Sequence, residues 1–378
     1  MFIQGRAAHN FSAADPTFLL QNHLGGAAGK ETANDQARLR DFIIKSCSAN
    51  MVEQTGKSVR VALIGCGRWG RNLARVLARL GALEVIVDPA VVALTPYAEE
   101  LGVRIVSDLD AAFADGIDAV VIAAPAVDHA WLARRALESG KPVFVEKPLA
   151  LELEDAEALA VLAKERGLTL MVGHLLQYHP AFVTLKKLVA AGEIGELRHI
   201  TSHRLNPGAI RTEENALWSM APHDFSMILG LAGAEPDQVS ALPVRVVNPS
   251  IPDQYFVQLR FTGGLTAQVN VSWISPYKEH KLTVLGTKGA LVFEDTASER
   301  DRKLVIYRDY VDVTGAGPRF VKSEGEPVAW PAEEPLEAEL RTFLAAARGE
   351  EETRTGPEEA IPVLRLLRRA DAAAMGGS

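Results

Sequence analysis

Between residues 58 and 178 the chain alternates continuously apolar runs with stretches of helical periodicity, and this alternation restricts the fold more than any other feature. The runs "VRVALIG", "LEVIVD", "VRIVS", "DAVVIAAP", "PVFVEKP" and "LTLMVGH" are separated by helical patterns such as "RNLARVLARLG", "HAWLARRALESG" and "LEDAEALAVLAKERG". A strand that is apolar on both sides has to be covered on both faces, and a parallel sheet with crossover helices does this. Residues 58–178 are therefore expected to form a doubly wound α/β domain, whose ligands bind at the carboxyl edge of its strands.

The pattern changes beyond residue 178. A helix, "AFVTLKKLVAAG", leads to the strand-like "ELRHITSHRLN" and a second helix, "ALWSMAPHDFSMILGLAG". The runs "QVSALPVRVV", "YFVQLRFT", "LTAQVNVSWIS", "HKLTVLGT" and "ALVFED" then alternate and are joined by turns such as "TGG" and "TKG". Alternation of this kind marks a sheet with one covered face, so residues 179–378 are expected to be an α+β domain on a largely antiparallel open sheet. Two helical stretches, "PLEAELRTFLAAARG" and "PEEAIPVLRLLRRADAAA", follow it. The uncovered face suits a homodimer or homotetramer. Residues 1–57 have weak periodicity and read as an N-terminal extension.

Lys and Arg total 40 against 48 Asp and Glu, a net charge of −8. That balance argues against nucleic acid or an anionic membrane as partner, so an anionic substrate needs a local basic patch. No apolar run reaches the ~18 residues of a membrane span. The start, "MFIQGRAAHNFSAADP", lacks the order of a signal peptide, and a cytoplasmic location is expected. Cys47 and Cys66 stand in no metal spacing, so neither a bound metal nor a disulfide framework is expected.

"GCGRWGRN", residues 65–72, lies between the first strand and the first helix. Gly65, Gly67 and Gly70 have the G-x-G-x-x-G order of a Rossmann dinucleotide loop, with Arg68 and Trp69 between them. The helix start supplies amide donors for a pyrophosphate. Asp88 ends the second strand, where its carboxylate can accept both ribose hydroxyls; it would repel a 2′-phosphate, so NAD is expected rather than NADP. "AAPAVDH", residues 123–129, ends the fourth strand at the same edge and offers Ala124, Pro125 and His129 to the cofactor, although His129 fits a solvent-facing helix residue equally well. "EKP" puts Glu146 and Lys147 at the next strand end. A lysine shielded there can carry a depressed pKa and donate to a reacting oxygen.

Taken together, the glycine loop, Asp88, "AAPAVDH", "EKP" and the open-sheet domain resemble the glucose–fructose oxidoreductase/inositol dehydrogenase family. The resemblance covers about residues 58–370 and implies a catalytic or cofactor-anchoring role for Lys147. Many members carry an Asp-x-x-x-His pair on a helix of the second domain; here "WSMAPHD" supplies His223, with Ser219 where the acid would be. The segments "VGHLLQYHP" and "SHRLNPGAIRTEENALWSMAPHD" resemble the branch that oxidises C3 of UDP-N-acetylhexosamines. That likeness implies a UDP-sugar substrate lined by Tyr178, Arg204, Asn206, Arg211, Asn215, Trp218 and Ser219. Arg204 and Arg211 are suited to a diphosphate, and they fit two solvated loop arginines as well. The expected reaction is NAD-dependent oxidation of the C3 hydroxyl of UDP-N-acetylglucosamine, with Lys147 and His223 sharing the roles of base and alkoxide stabiliser in either order. A PLP-dependent aminotransferase would then consume the ketone. The corresponding uronic acid as substrate, or a non-catalytic NAD and sugar sensor, are the rival readings.

Overall fold

The computed structural model describes residues 58–376 apart from 209, 213, 309 and 313–316. The extension expected at residues 1–57 lies outside the described residues.

Six short strands form the first sheet: β1 (Val61–Ile64), β2 (Leu83–Val87), β3 (Arg104–Val106), β4 (Ala119–Ile122), β5 (Val143–Val145) and β6 (Leu170–Val172). They are parallel and ordered β3-β2-β1-β4-β5-β6, so the strand order reverses between β1 and β4. Helices α1 (Gly70–Arg79), α2 (Val91–Leu101), α3 (Ala126–Glu138) and α4 (Leu153–Arg166) make the crossovers. β1 and β4 are buried throughout, as their unbroken apolar sequences require.

Beyond β6 come α5 (Pro180–Ala190), β7 (Leu197–Pro207) and α6 (Ala216–Ala232). Strands β8 (Gln238–Val244), β9 (Gln254–Arg260), β10 (Thr266–Ser272), β11 (Ile274–Gly286), β12 (Gly289–Glu294) and β13 (Leu304–Tyr307) follow, and the edge strand β16 (Glu326–Pro327) completes an eight-stranded sheet. Its order is β16-β13-β12-β11-β7-β10-β9-β8. Neighbours are antiparallel except β7 and β10, which run parallel. A separate two-stranded ribbon pairs β14 (Tyr310–Asp312) with β15 (Arg319–Val321). In the sequence no alternating run marks a strand between "ALVFED" and the last helices. The four residues of β13 and two of β16 are too short for alternation to register.

The helices α7 (Pro335–Ala347) and α8 (Pro357–Met375) depart from the linear division at residue 178. Leu336, Leu340, Phe343 and Leu344 of α7 lie in a core shared with β1, β5 and α1, and Phe343 meets Phe144 edge-on at 5.7 Å. On α8, Ala360 and Leu364 pack into the other face of the parallel sheet, while Val363, Leu366 and Leu367 enter the core of the open-sheet domain. A helix with apolar residues on two sides is buried on both, so α8 ties the two cores together. Among the described residues no helix is long and apolar enough to cross a membrane, and no group of acidic, His and Cys residues could hold a metal ion.

Candidate active site

The three loop glycines have different physical duties. Gly65 has φ +88°, and a Cβ there would stand 2.7 Å from the backbone of Ala123 and Ala124. A Cβ on Gly70 would come within 2.2 Å of the Gly65 carbonyl. Both keep helix and strand together. Gly67 has nothing within 4 Å of its missing Cβ, so it faces open space that a phosphate can approach closely. Trp69, the N-cap of α1, offers no side-chain hydrogen bond to the helix, and the first turn carries no acid. The helix start is thus free for an anion. Asp88 lies against this loop, with Oδ2 accepting from Cys66 N (2.7 Å) and Oδ1 from Ala90 N (2.8 Å). Open space at Gly67, uncapped amides and a neighbouring carboxylate fit a dinucleotide.

At the adjacent strand ends, Glu146 is buried and accepts a hydrogen bond from Trp69 Nε1, which connects "EKP" to the glycine loop. Its carboxylate lies over Gly173, where a Cβ would be 2.9 Å from Oε2. Burial pushes the Glu146 carboxyl above its ordinary pKa, opposed by Trp69 and the Lys147 charge. Arg68 and Pro125 are exposed at this edge, and Ala124 is half-buried. His129 departs from its expected cofactor contact. It is buried between the two loops instead, with Nδ1 2.7 Å from Pro148 O and Nε2 2.9 Å from Ala124 O, and donates to one of these carbonyls. Burial lowers its pKa.

Lys147 is half-buried, joins Pro148 through a cis peptide bond, and donates from Nζ to the Ser219 carbonyl at 3.0 Å. Burial lowers its pKa, against the pull of Glu146 and Glu214. His223 stands four residues after Ser219 on α6, hence on the same helix face. Its Nδ1 is buried without a hydrogen-bond partner among the described groups. Burial first, then the charges of Arg204 and Lys147, push its pKa well below the ordinary imidazole value. His223 is therefore held as a neutral ring.

Arg204 is more deeply placed than expected. Its Nε donates to Asp224 Oδ2 at 2.8 Å, and the fully buried Asp224 also accepts from Ser202 Oγ at 2.6 Å. A guanidinium committed to a buried carboxylate is first a structural partner, which corrects its reading as a free diphosphate ligand. Arg211 is exposed on the rim and pairs with Glu214 at 2.6 Å. Asn206 Oδ1 lies 3.2 Å from Nε2 of His280, which faces Arg204 across the β7–β11 ladder. Burial and the Arg204 charge push His280 down to about 3.

Three further expectations fail. Tyr178 is buried in the first domain's core, with its hydroxyl 3.1 Å from Thr355 Oγ1 and accepting from Arg354 N; it fastens the loop before α8. Asn215 is the N-cap of α6, accepting from Trp218 N, and its Nδ2 donates to Asp371 Oδ1 at 3.2 Å. Trp218 Nε1 donates to Asp371 Oδ2 at 3.1 Å. These two residues lock α6 to α8 rather than face the crevice. Lys147, Ser219, His223, Arg204 and Asn206 come together, with Arg211 at the rim. His280 was missed by sequence analysis. It has the same strand parity as the buried Leu282 and Val284, and a polar residue in that phase is the signal that points to it.

Comparison with known proteins follows the same division. Residues 59–174 match the oxidoreductase family with the NAD-binding Rossmann fold, and residues 182–292 match the GFO/IDH/MocA C-terminal domain. A scyllo-inositol 2-dehydrogenase (NAD(+)) of Bacillus subtilis is 32% identical over 249 residues, covering 62% of this chain and 73% of the relative. A UDP-N-acetylglucosamine 3-dehydrogenase of Acidithiobacillus ferrooxidans is 34% identical over 190 residues, 50% of this chain and 59% of the relative. The solved structure of UDP-N-acetylglucosamine 3-dehydrogenase GnnA from that organism superposes with a TM-score of 0.73 at 26% identity, over 84% of this chain and 98% of that one. With its glycine loop, Asp88 and "EKP" assembled at one sheet edge, the chain belongs to the glucose–fructose oxidoreductase/inositol dehydrogenase (GFO/IDH/MocA) family of oxidoreductases and carries its NAD-binding Rossmann domain.

Proposed function

We propose that the protein oxidises the C3 hydroxyl of UDP-N-acetylglucosamine to the 3-ketone with NAD. The observation that carries this reading is the pairing of Lys147 with the helix turn of His223. An ammonium that bonds the Ser219 carbonyl stands beside a neutral imidazole on the same face of α6. NAD, held by the Gly65–Gly70 loop and Asp88, would supply the hydride acceptor for the carbinol carbon. His223 accepts the hydroxyl proton, and Lys147 stabilises the charge that develops on the oxygen. The likeness to the UDP-N-acetylglucosamine 3-dehydrogenase structure along nearly all its length supports a nucleotide sugar, as does the exposed Arg211 at the rim.

A second reading is favoured by one observation: Arg204 is tied to Asp224, which leaves Arg211 as the nearer cation for a diphosphate. A neutral cyclic polyol, such as the substrate named for the inositol dehydrogenase relative, needs no such cation. The 3-ketone of a UDP-sugar has an acidified C2 hydrogen and UDP positioned for elimination, so rapid transamination protects it. NADH formation should therefore be weak with UDP-N-acetylglucosamine alone and rise strongly when a PLP-dependent aminotransferase and glutamate are added, with the 3-amino sugar seen by mass spectrometry. Far better turnover of scyllo-inositol or of the uronic acid sugar overturns the assignment.

A further inference from the structure

Among the described residues no carboxylate bonds His223 Nδ1, and Ser219, one turn before it, contributes its carbonyl to Lys147. The chain does contain a carboxylate-supported imidazole close by. His174 follows β6 at the same sheet edge, is 2% exposed, and places Nδ1 against Oε2 of Glu359 on the first turn of α8. The other carboxylate oxygen, Oε1, accepts from Ser226 Oγ. Ser226 is three residues beyond His223 on α6, so the two share a helix face. One carboxylate thus joins His174 to the turn of α6 that follows His223.

The hydrogen-bond direction at Ser226 follows from its neighbours. Lys186 Nζ donates to Gln177 Oε1 at 3.2 Å, which turns the Gln177 amide nitrogen toward Ser226, 2.9 Å from its hydroxyl. The single Ser226 hydroxyl proton then points to Glu359. With a carboxylate at Glu359, the Oε2 oxygen accepts from His174 Nδ1. A ring bonded in this way carries its acceptor lone pair, when it has one, on Nε2 at the far edge. The charged and titratable groups near this ring include Glu359 on α8, Glu146 at the end of β5 and His223 on α6, and Lys186 of α5 lies close to Glu359 through Gln177 and Ser226. The Glu359 side chain remains 18% exposed, so the pair reaches water.

We propose that His174 and Glu359 form a proton-relay pair that acts through His223 and carries the hydroxyl proton of the oxidised alcohol out of the site. The inference rests on the reading that this site oxidises a secondary alcohol with His223 as first acceptor. In that step the C–H bond gives its electron pair to NAD as hydride, the O–H proton goes to His223, and the C=O bond forms. One proton per turnover remains on the protein. His223 takes it at Nε2 and releases one from the buried, unpartnered Nδ1 to His174 Nε2, through a water or a rotation of the ring. His174 passes its own Nδ1 proton to Glu359 and so to solvent. On ketone reduction the same path runs inward.

The test compares the full chain with His174→Gln and Glu359→Gln, using NAD with UDP-N-acetylglucosamine, scyllo-inositol and myo-inositol. His174→Gln should lose roughly ten- to a hundredfold in kcat, within the range of positioned proton transfer. KM and the affinity for NADH should stay unchanged. The solvent deuterium isotope effect on kcat should rise and the primary effect of a deuterated alcohol should fall, as proton removal becomes limiting. Glu359→Gln should move each quantity the same way by less. Unchanged kcat and isotope effects, or a loss of NADH affinity matching the loss of kcat, overturns the relay. If none of these alcohols reacts, the reading of the site fails separately, and ¹⁵N NMR of the His174 ring decides the relay. A proton on Nδ1 with a lone pair on Nε2 supports it, and the opposite tautomer sinks it.

Discussion

Asp224 is a carboxylate wholly removed from water, and Arg204 and Ser202 satisfy both its oxygens. Removing one partner of such a pair leaves a buried charge uncompensated, which typically costs about 3–5 kcal/mol. Asp224→Ala should therefore lower unfolding stability by about that amount in chemical denaturation, whereas Arg211→Ala, on the exposed rim pair, should change it by less than about 1 kcal/mol. Arg211→Ala should instead raise the KM for UDP-N-acetylglucosamine with little change in kcat, because a remote phosphate is held alike in ground and transition states. Equal stability loss in both variants would refute the separation. Both arginines look alike in "SHRLNPGAIRTEEN"; the difference lies in strand phase, since Arg204 shares parity with the buried Ile200 and Ser202.

At the scale of the element, the glycine loop separates what holds the fold from what admits the ligand. Gly70→Ala would force a Cβ to within 2.2 Å of a backbone oxygen and should prevent folding or lower the melting temperature sharply. Gly67→Ala meets no atom within 4 Å and should fold with nearly unchanged stability, yet weaken NADH binding roughly tenfold or more, a difference of about 1.4 kcal/mol. Circular dichroism melts and NADH fluorescence titrations measure the two effects. Normal NADH affinity in Gly67→Ala would remove the loop from phosphate contact. The loop, its strand and its helix were all legible in the sequence, because spacing and local periodicity are what determine them. The turn of α6 was legible as a helix but not in its contacts: Asn215 and Trp218 point to Asp371, 156 and 153 residues away.

At the scale of the whole molecule, Glu339 of α7 is a costly buried group. It is fully buried, neither oxygen has a hydrogen-bond partner among the described groups, and burial with the nearby Glu146 and Glu359 raises its pKa well above the ordinary value. A carboxyl raised in the folded state is ionised more readily in the unfolded chain. Stability then falls as pH rises above the unfolded value of about 4.3, by up to about 1.4 kcal/mol per unit until the folded pKa is reached. Glu339→Gln removes this dependence, so its melting temperature should fall less than that of the wild type between mildly acidic and mildly alkaline buffer. Parallel curves for the two proteins would show that Glu339 does not titrate in that window.

The parallel sheet, the strands of the open sheet up to β12, the glycine loop, Asp88, Lys147 and the helix that bears His223 follow from periodicity and spacing, since each depends on residues close together in the chain. The docking of α7 and α8, the Arg204–Asp224 pair, the placement of His280 and the His174–Glu359 contact across 185 residues do not. Those contacts depend on how packed helices and strands are angled, and a local period of two or 3.6 residues carries no record of that angle. Sequence therefore determined which chemistry stands at the sheet edge, and tertiary packing decided which of its polar residues face the crevice and which hold the walls.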